Sequence, residues 1–250
     1  MRRGARWLLG SLAALALFGV AGLWVFDLTT RAAAAPAALQ ALTSDAQVSV
    51  KQGDFLEFSP LQRPIRGGVI VYPGANADFR GYSRILRQVA AAGYLVCVVP
   101  MPFEMAILGL NRANSVMREH DTVKTWALLG HSLGGAMAAM FVASHPHAVD
   151  GLIIWDSYPP SMSSLASFRK PVWHIHRAQP GGAPPASFTA RRGLFPPNST
   201  WVPIRGGIHM YFGDFIGGAY QEDWQPTISR EENQRLALAA TLAALDDIFF

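Results

Sequence analysis

The sequence has little charge and almost no cysteine. Cys97 is the only cysteine among 250 residues, so no intrachain disulfide can form. Charged residues make up 15% of the chain and hydrophobic residues 50%, and a chain this apolar is ordered rather than disordered. The net charge is +4, but the arginines are scattered and form no Lys/Arg cluster with interleaved aromatic residues. The composition therefore argues against a disulfide-stapled domain, a disordered chain and a nucleic-acid-binding protein.

Charge is missing altogether from one long stretch near the N-terminus. Arg2, Arg3 and Arg6 precede the run Trp7–Phe26, in which none of the twenty residues is charged. A helix of that length rises about 30 Å, the thickness of a bilayer's hydrocarbon core, and the run is longer than most signal-peptide cores. We therefore expect residues 1–26 to form a membrane-spanning signal anchor, with a cleaved signal peptide as the alternative.

The arginines ahead of the apolar run also predict the orientation of the chain. Basic residues stay on the cytoplasmic side of a membrane-spanning helix, so the remainder of the chain is expected outside the cytoplasm. It would be anchored to the membrane through the N-terminal helix, or secreted if that helix is cleaved. Residues 27–45 are alanine-rich and weakly patterned, which predicts a linker, and residues 46–250 are expected to form one domain.

The domain begins with a hairpin pattern and continues as alternating strands and helices. "AQVSV" and "DFLEF" alternate apolar and polar residues about "KQG". Short, nearly continuous apolar runs then predict buried strands, at 67–74, 94–101, 126–132, 149–157, 171–178 and 200–207. Helical patterns lie at 79–92, 104–119 and 133–144, and a last one begins near Ser229. This order predicts a mostly parallel sheet with helices on both faces, which binds ligands at the carboxyl ends of its strands. Cys97 falls in one of the apolar runs and is expected in the core.

A serine lies at one of these carboxyl ends, within Gly130-His131-Ser132-Leu133-Gly134. The motif G-x-S-x-G also arises by chance, but here it ends a strand-like run and begins an alanine-rich helix. A nucleophilic serine requires this setting, because the strand-to-helix turn is sharp and the two glycines let strand and helix pack closely. We therefore interpret Ser132 as a candidate nucleophile, against the alternative of an ordinary serine in a glycine-rich turn.

A serine hydroxyl needs a base to remove its proton, and His209 is the best placed histidine. It follows the last predicted strand, in "IRGGIHMYFGDF", at the same edge of the sheet. His174 and His176 share one face of a strand and could be imagined as metal ligands together with His209. The chain lacks supporting carboxylate spacing, so no metal is expected, and these two imidazoles are interpreted as core or site-lining groups. Other histidines are placed near helix ends and interpreted as solvated, at positions 120, 145 and 147.

Residues 67 to about 245 resemble the α/β-hydrolase family, and especially its small single-domain bacterial branch near the dienelactone hydrolases. The resemblance rests on "VIVYPGANAD", "AAGYLVCVVPMP", "LLGHSLGGAMAAMF", "VDGLIIWDSYP", "IRGGIHMYFGDF" and "TISREENQ", which follow one another in the family's order. It implies a nucleophile at Ser132, a base at His209, and an oxyanion hole formed by the N–H of Leu133 and that of Ala75, with Asn76 as a less favoured second donor.

The acid of the triad is not where this branch usually carries it. The turn after the strand at 171–178 reads "RAQPGG", with Pro180 in place of the aspartate. Asp156 ends the preceding strand, from which a carboxylate can also reach the histidine, and an acid after the apolar run "GLIIW" needs a partner when it is partly buried. We therefore predict Asp156 as the acid. Asp156 as a turn or cap residue, and Asp214 or Glu104 as the acid, stay open as alternatives.

The expected site is open, because only about a dozen residues separate "WDSYPP" from "KPVW", where lid-bearing relatives insert a cap. The sequence thus predicts hydrolysis of a small ester, thioester or lactone through an acyl-enzyme, without metal or organic cofactor. Two other functions stay open: an inactive, membrane-tethered binding module of the same fold, which the Pro180 departure suggests, and an amidase or peptidase. Candidates for lining the site are His131, Asn76 and the aromatic residues Tyr158, Phe212, Trp173 and Trp224.

Overall fold

The structure is a computed structural model that describes residues 30–250. In chain order its strands are β1 (Ala32–Ala34), β2 (Val48–Gln52), β3 (Leu56–Pro60), β4 (Gly68–Tyr72), β5 (Leu95–Val98), β6 (Trp126–His131), β7 (Gly151–Trp155), β8 (Val172–Ala178), β9 (Thr200–Arg205) and β10 (Phe215–Gly217). The α-helices are α1 (Pro36–Gln40), α2 (Ser83–Ala91), α3 (Ala113–Glu119), α4 (Leu133–Ser144), α5 (Ala186–Ala190) and α6 (Arg230–Phe249).

An eight-stranded sheet forms the centre of the domain, in the order β2-β3-β5-β4-β6-β7-β8-β9. The strands from β4 to β9 run parallel, and β2 and β3 form the antiparallel hairpin that the sequence predicts. Neighbouring strands β4, β6 and β7 are buried along their whole length, which explains their nearly continuous apolar runs. The predicted α/β architecture with a mostly parallel sheet is confirmed.

Two apolar layers cover the sheet, one on each face. Along β4 the side chains alternate between the layers, with Val69 and Val71 in one and Ile70 in the other. Helices α2 and α6 pack on the first face, and α3 and α4 on the second. The connection from β7 to β8 holds only a 3₁₀ turn at Ser161–Ser163, so that connection carries no cap over the carboxyl ends of the strands.

The predicted helix at 104–119 is wrong in its first half. Two 3₁₀ turns, Pro102–Glu104 and Ala106–Gly109, stand there, and α-helix starts only at Ala113. Phe103 and Glu104 have φ values of 51° and 54°, which a right-handed helix does not accommodate. The Glu104 carbonyl instead accepts a hydrogen bond from the Asn76 N–H, at 3.1 Å. This bond ties the segment to the loop after β4, at the carboxyl edge of the sheet.

The alanine-rich interval expected to be a linker lies against the domain, as far as the structure describes it. Strand β1 pairs antiparallel with β10, with Ala33 opposite Ile216, and Ala32 and Ala38 are buried. Small alanine side chains allow this close packing. Between residues 30 and 250, no helix has both the length and the apolar character needed to cross a membrane. The predicted anchor at 1–26 lies outside the described residues.

Candidate active site

Ser132 lies between the end of β6 and the start of α4, on a strained turn. Its φ is 54° and its ψ is −126°, a conformation rare for a residue with a side chain. Two hydrogen bonds to residues at the carboxyl end of β7 hold it. Its N–H donates to the Trp155 carbonyl at 3.1 Å, and its carbonyl accepts from the Ser157 hydroxyl at 2.6 Å. The turn is built as a nucleophilic serine requires.

The motif glycines are required by close backbone contacts. A Cβ on Gly134 would lie 2.1 Å from the Tyr72 carbonyl oxygen, and one on Gly130 would lie 2.4 Å from the Gly134 carbonyl oxygen. Both contacts are to backbone, which cannot turn aside as a flexible side chain can. Helix α4 therefore touches β4 and β6 closely enough to exclude a methyl group.

We expect Gly134→Ala to destabilise the fold by about 1–3 kcal/mol, the usual cost of overpacking a tight site. Urea unfolding of the variant against the unmodified protein measures this difference. Gly53→Ala is the matched control, because nothing lies within 4 Å of its added Cβ. Equal losses at both positions would contradict the close-contact explanation.

His209 and Asp156 form a buried pair at the carboxyl edge of the sheet. The His209 Nδ1 lies 2.5 Å from the Asp156 Oδ2, and the two side chains are 6% and 0% exposed. Asp156 follows β7 directly and has a φ of 47°, which turns it off the strand toward the histidine. The predicted base and the predicted acid are therefore in contact.

Arg177, at the carboxyl end of β8, holds the other side of this carboxylate. Its N–H donates to Asp156 Oδ1 at 2.9 Å, and its buried guanidinium pairs with Oδ2. The same guanidinium reaches Asp223 Oδ2 at 2.7 Å. Burial alone would raise the pKa of Asp156, but the His209 hydrogen bond and the Arg177 charge lower it below its ordinary value. Asp156 is therefore a carboxylate at neutral pH.

The alternative acids lie elsewhere. Asp214 is buried, but it pairs with Arg84 at 2.7 Å and accepts from Gln234 at 3.2 Å. Glu104 pairs with Arg31 at 2.8 Å. Both carboxylates already have partners, and neither contacts the imidazole of position 209.

A loop after β10 supports the histidine, and the sequence interpretation missed it. The two oxygens of Glu222 accept the N–H groups of His209 and Met210, at 2.9 and 2.8 Å. Tyr220 stacks on the His209 ring, with centroids 3.9 Å apart. Burial raises the pKa of Glu222, against the effect of these two hydrogen bonds. The acidic residues of "QEDW" (221–224), a short distance after His209 in the sequence, could have indicated this contact.

Ser132 and His209 line the same two cavities. One, of about 330 Å³, is bounded on its far side by Ser157, Tyr158 and residues of α5. The other, of about 70 Å³, lies against the loop after β4 and includes Ala75 and Asn76. A substrate placed at Ser132 would thus have space on both sides of the reacting atom.

The candidate oxyanion donors line the two cavities that meet at Ser132. Leu133 lines the larger cavity and Ala75 the smaller one. Among residues 30–250, neither N–H donates to a backbone carbonyl, whereas the Asn76 N–H is taken by Glu104. The Asn76 side chain donates to the Thr30 hydroxyl at 2.6 Å. These contacts favour Ala75 over Asn76 as the second donor.

Some of the residues predicted to line the site do line a cavity, and one is buried in the core instead. Tyr158 lines the larger cavity, and His131 and Asn76 line the smaller one. Burial and the neighbouring His209 imidazole lower the pKa of His131, whose Nδ1 lies 2.8 Å from the Tyr82 hydroxyl. Phe212 was expected to line the site but is fully buried, stacked on His131. Phe212 follows β9, and its uncharged aromatic ring fills space in the core instead of facing a cavity.

Imidazole and thiol groups elsewhere do not join this site. His174 and His176 stack on each other, with centroids 4.7 Å apart, among Phe188 and Trp201, and burial lowers both pKa values.

A separate group of donor atoms lies between β3 and β5, where Glu57, Cys97 and His120 approach within 4.8 Å of one another. Burial raises the pKa of the Cys97 thiol, which opposes the thiolate that a metal ion would need.

Comparison with known proteins agrees with the fold. The fold is similar to that of TT1662 from Thermus thermophilus (15% identity, 80% of this chain and 99% of that one, TM-score 0.57). It is also similar to a ferulic acid esterase from Streptomyces cinnamoneus (20% identity, 76% of this chain and 69% of that one, TM-score 0.56). A third similar structure is a soluble variant of the monoglyceride lipase from Saccharomyces cerevisiae (12% identity, 83% of this chain and 96% of that one, TM-score 0.58). No curated protein sequence matches this chain. Residues 68–235, more than half of the chain, match the model described as "Alpha/beta hydrolase family". The chain therefore belongs to the α/β-hydrolase family.

Proposed function

We propose that this protein hydrolyses carboxylic ester bonds through an acyl-enzyme on Ser132. His209 acts as the base and Asp156 as the acid that orients it. One observation carries the proposal: Ser132, on its strained turn, and His209, paired with Asp156, line the same cavity. A structural serine would need neither the strain nor a paired imidazole beside it.

The geometry supports the following sequence of steps. Asp156 accepts a hydrogen bond from Nδ1–H, which keeps the proton of the neutral ring on Nδ1, so Nε2 is free to take the proton of the Ser132 hydroxyl as Oγ attacks the carbonyl carbon. The N–H groups of Leu133 and Ala75 stabilise the oxyanion, each contributing about 10²–10³ in rate. His209 then protonates the departing alcohol. In the second half it removes a proton from water, whose oxygen attacks the acyl-enzyme, and then returns that proton to Ser132 Oγ as the acyl–Oγ bond breaks and the carboxylic acid leaves.

The substrate class is proposed as esters, with thioesters and lactones next. The β7–β8 connection carries no cap and the cavities are open, which suits small or single-chain acyl groups. Two of the similar structures are, by their names, a ferulic acid esterase and a monoglyceride lipase. The dienelactone-like branch and the N-terminal anchor, with the domain outside the cytoplasm, stay predictions from the sequence.

A fluorophosphonate probe tests the proposal directly, because it phosphonylates only an activated serine. We expect the full-length protein to be labelled at Ser132, as located by peptide mass spectrometry, and the Ser132→Ala variant to stay unlabelled. Paired substrates that differ only in an ester or an amide link would then separate an esterase from an amidase. A folded protein that resists the probe would favour the inactive binding module.

A further inference from the structure

Exposed apolar side chains lie on segments next to the site, and one of them, Tyr220, lines its two cavities. Five large ones lie on segments at the carboxyl edge of the sheet, and we call them the apolar rim: Phe103 (89% exposed), Ile107 (56%), Leu108 (58%), Ile216 (57%) and Tyr220 (41%). Single exposed apolar residues are ordinary, but several on neighbouring segments mark an interaction surface.

The segments of the rim are joined by hydrogen bonds around the smaller cavity. The loop that carries Phe103 accepts the Asn76 N–H through Glu104, and the Asn76 carbonyl accepts the Ala32 N–H at 2.9 Å. Strand β1 then pairs with β10, which places Ala33 opposite Ile216. The next segment brings Tyr220 onto the His209 ring. These contacts connect the segments that carry Phe103, Ile216 and Tyr220 to the site.

The exposed Phe103 side chain lies on a strained segment of backbone. Phe103 and Glu104 both have positive φ values, and the Arg31 guanidinium grips the Glu104 carboxylate at 2.8 Å. Conformations of this kind persist only where surrounding contacts impose them. Here they keep 89% of a phenylalanine in contact with solvent, which is unfavourable unless something apolar covers it.

The path of the chain indicates what covers the rim. Thr30 lines the smaller cavity, and the uncharged run Trp7–Phe26 ends only four residues before it. Four residues of extended chain reach at most about 14 Å. If the run enters a bilayer, as its length and composition predict, the mouth of the site cannot lie far from the lipid surface.

We propose that the apolar rim docks on a lipid bilayer and that the site draws single-chain lipid esters from it. This substrate class rests on the proposed ester hydrolysis, whereas the docking itself does not. The rim then supplies a dry passage from the bilayer to Ser132, so the acyl chain need not cross water. Exposed apolar residues at the opposite edge of the sheet, Leu61 and Ile65, flank β3 and β4 at ends remote from the mouth and provide matched controls.

Docking is tested with a fluorophore at the rim. Phe103→Cys in the full-length chain is labelled with an environment-sensitive NBD group, while Cys97 stays unlabelled because it is fully buried. In phosphatidylcholine vesicles that contain a headgroup spin-labelled lipid, we expect a blue shift and quenching at position 103, and neither in Leu61→Cys. Equal responses at both positions, or none at 103, would overturn the docking. So would a label shielded without lipid, which would mean that the chain's own N-terminal run or a second copy covers the rim.

The substrate class is tested by two esters and one charged variant. Ile107→Glu with Leu108→Glu should slow hydrolysis of a monoacylglycerol in vesicles at least tenfold and leave a water-soluble short-chain ester within about twofold. Leu61→Glu should change neither rate. Equal slowing of both esters, or of neither, would refute the supply of substrate from the bilayer. If the unmodified protein cleaves neither ester, the proposed function fails, and the fluorophore result still decides the docking.

Discussion

Replacing Ser132 with alanine is expected to lower kcat/KM for esters by roughly 10⁶-fold, as removal of the nucleophile does in serine hydrolases. The acyl-enzyme cannot form without Oγ, and His209 would have no hydroxyl proton to accept. The cavities and the Leu133 and Ala75 N–H groups remain, so a residual acceleration of about 10³–10⁴ over water should persist. Chromogenic esters of increasing acyl length, hydrolysed by the full-length protein, provide the measurement.

Ser157→Ala is the matched control for this result. Ser157 lines the same cavity, and its hydroxyl donates to the Ser132 carbonyl at 2.6 Å, so the change removes a neighbouring hydroxyl and spares the nucleophile. We expect a loss of no more than about tenfold, since one hydrogen bond contributes about 1 kcal/mol. A Ser132→Ala variant that keeps a hundredth of the original rate would rule out the acyl-enzyme on this residue.

The sheet and two of the site positions were predictable because local patterns encode them. Buried parallel strands need continuous apolar runs, and the turn at Ser132 needs glycine at 130 and 134, where a Cβ would strike backbone. Asp156 was predictable for a related reason. A carboxylate directly after the buried run "GLIIW" has to find a partner, and the structure provides His209 at 2.5 Å.

The remaining features depend on contacts between distant parts of the chain, whose partners no local pattern identifies. Arg177 and Glu222 join the site through ion pairs and hydrogen bonds across 21 and 13 positions of sequence. Helical periodicity at 104–119 did not reveal the positive φ at Glu104, whose carbonyl accepts a tertiary bond from the loop after β4. Alanine enrichment likewise suggested a linker where small side chains serve for close strand packing.

Asp156→Asn is expected to lower turnover by about 10⁴-fold, the effect of the same change in a related triad. An amide can donate to Nδ1, which favours the tautomer whose Nε2 carries the proton and cannot accept one from Ser132. The loss of charge also removes the group that stabilises the imidazolium in the transition state. The variant should keep its substrate affinity, so we expect the loss in kcat rather than in KM, measured by steady-state hydrolysis of a chromogenic ester.

Because Asp156 also pairs with Arg177, Asp156→Asn could lower activity by destabilising the fold. The second partner of Arg177, Asp223, provides the control. Asp156→Asn leaves Asp223 as the remaining carboxylate partner of the buried Arg177 guanidinium, so the loss of stability should stay below the roughly 3–5 kcal/mol that leaving a buried charge with no partner costs. Urea unfolding must therefore show that the variant is folded under assay conditions. Asp223→Asn removes a half-exposed carboxylate from the same guanidinium and leaves the His209 pair intact, so its rate should stay within about tenfold. Equal rates for the two asparagine variants would mean that the carboxylate at 156 serves Arg177 and the fold rather than the imidazole, and that another group orients His209.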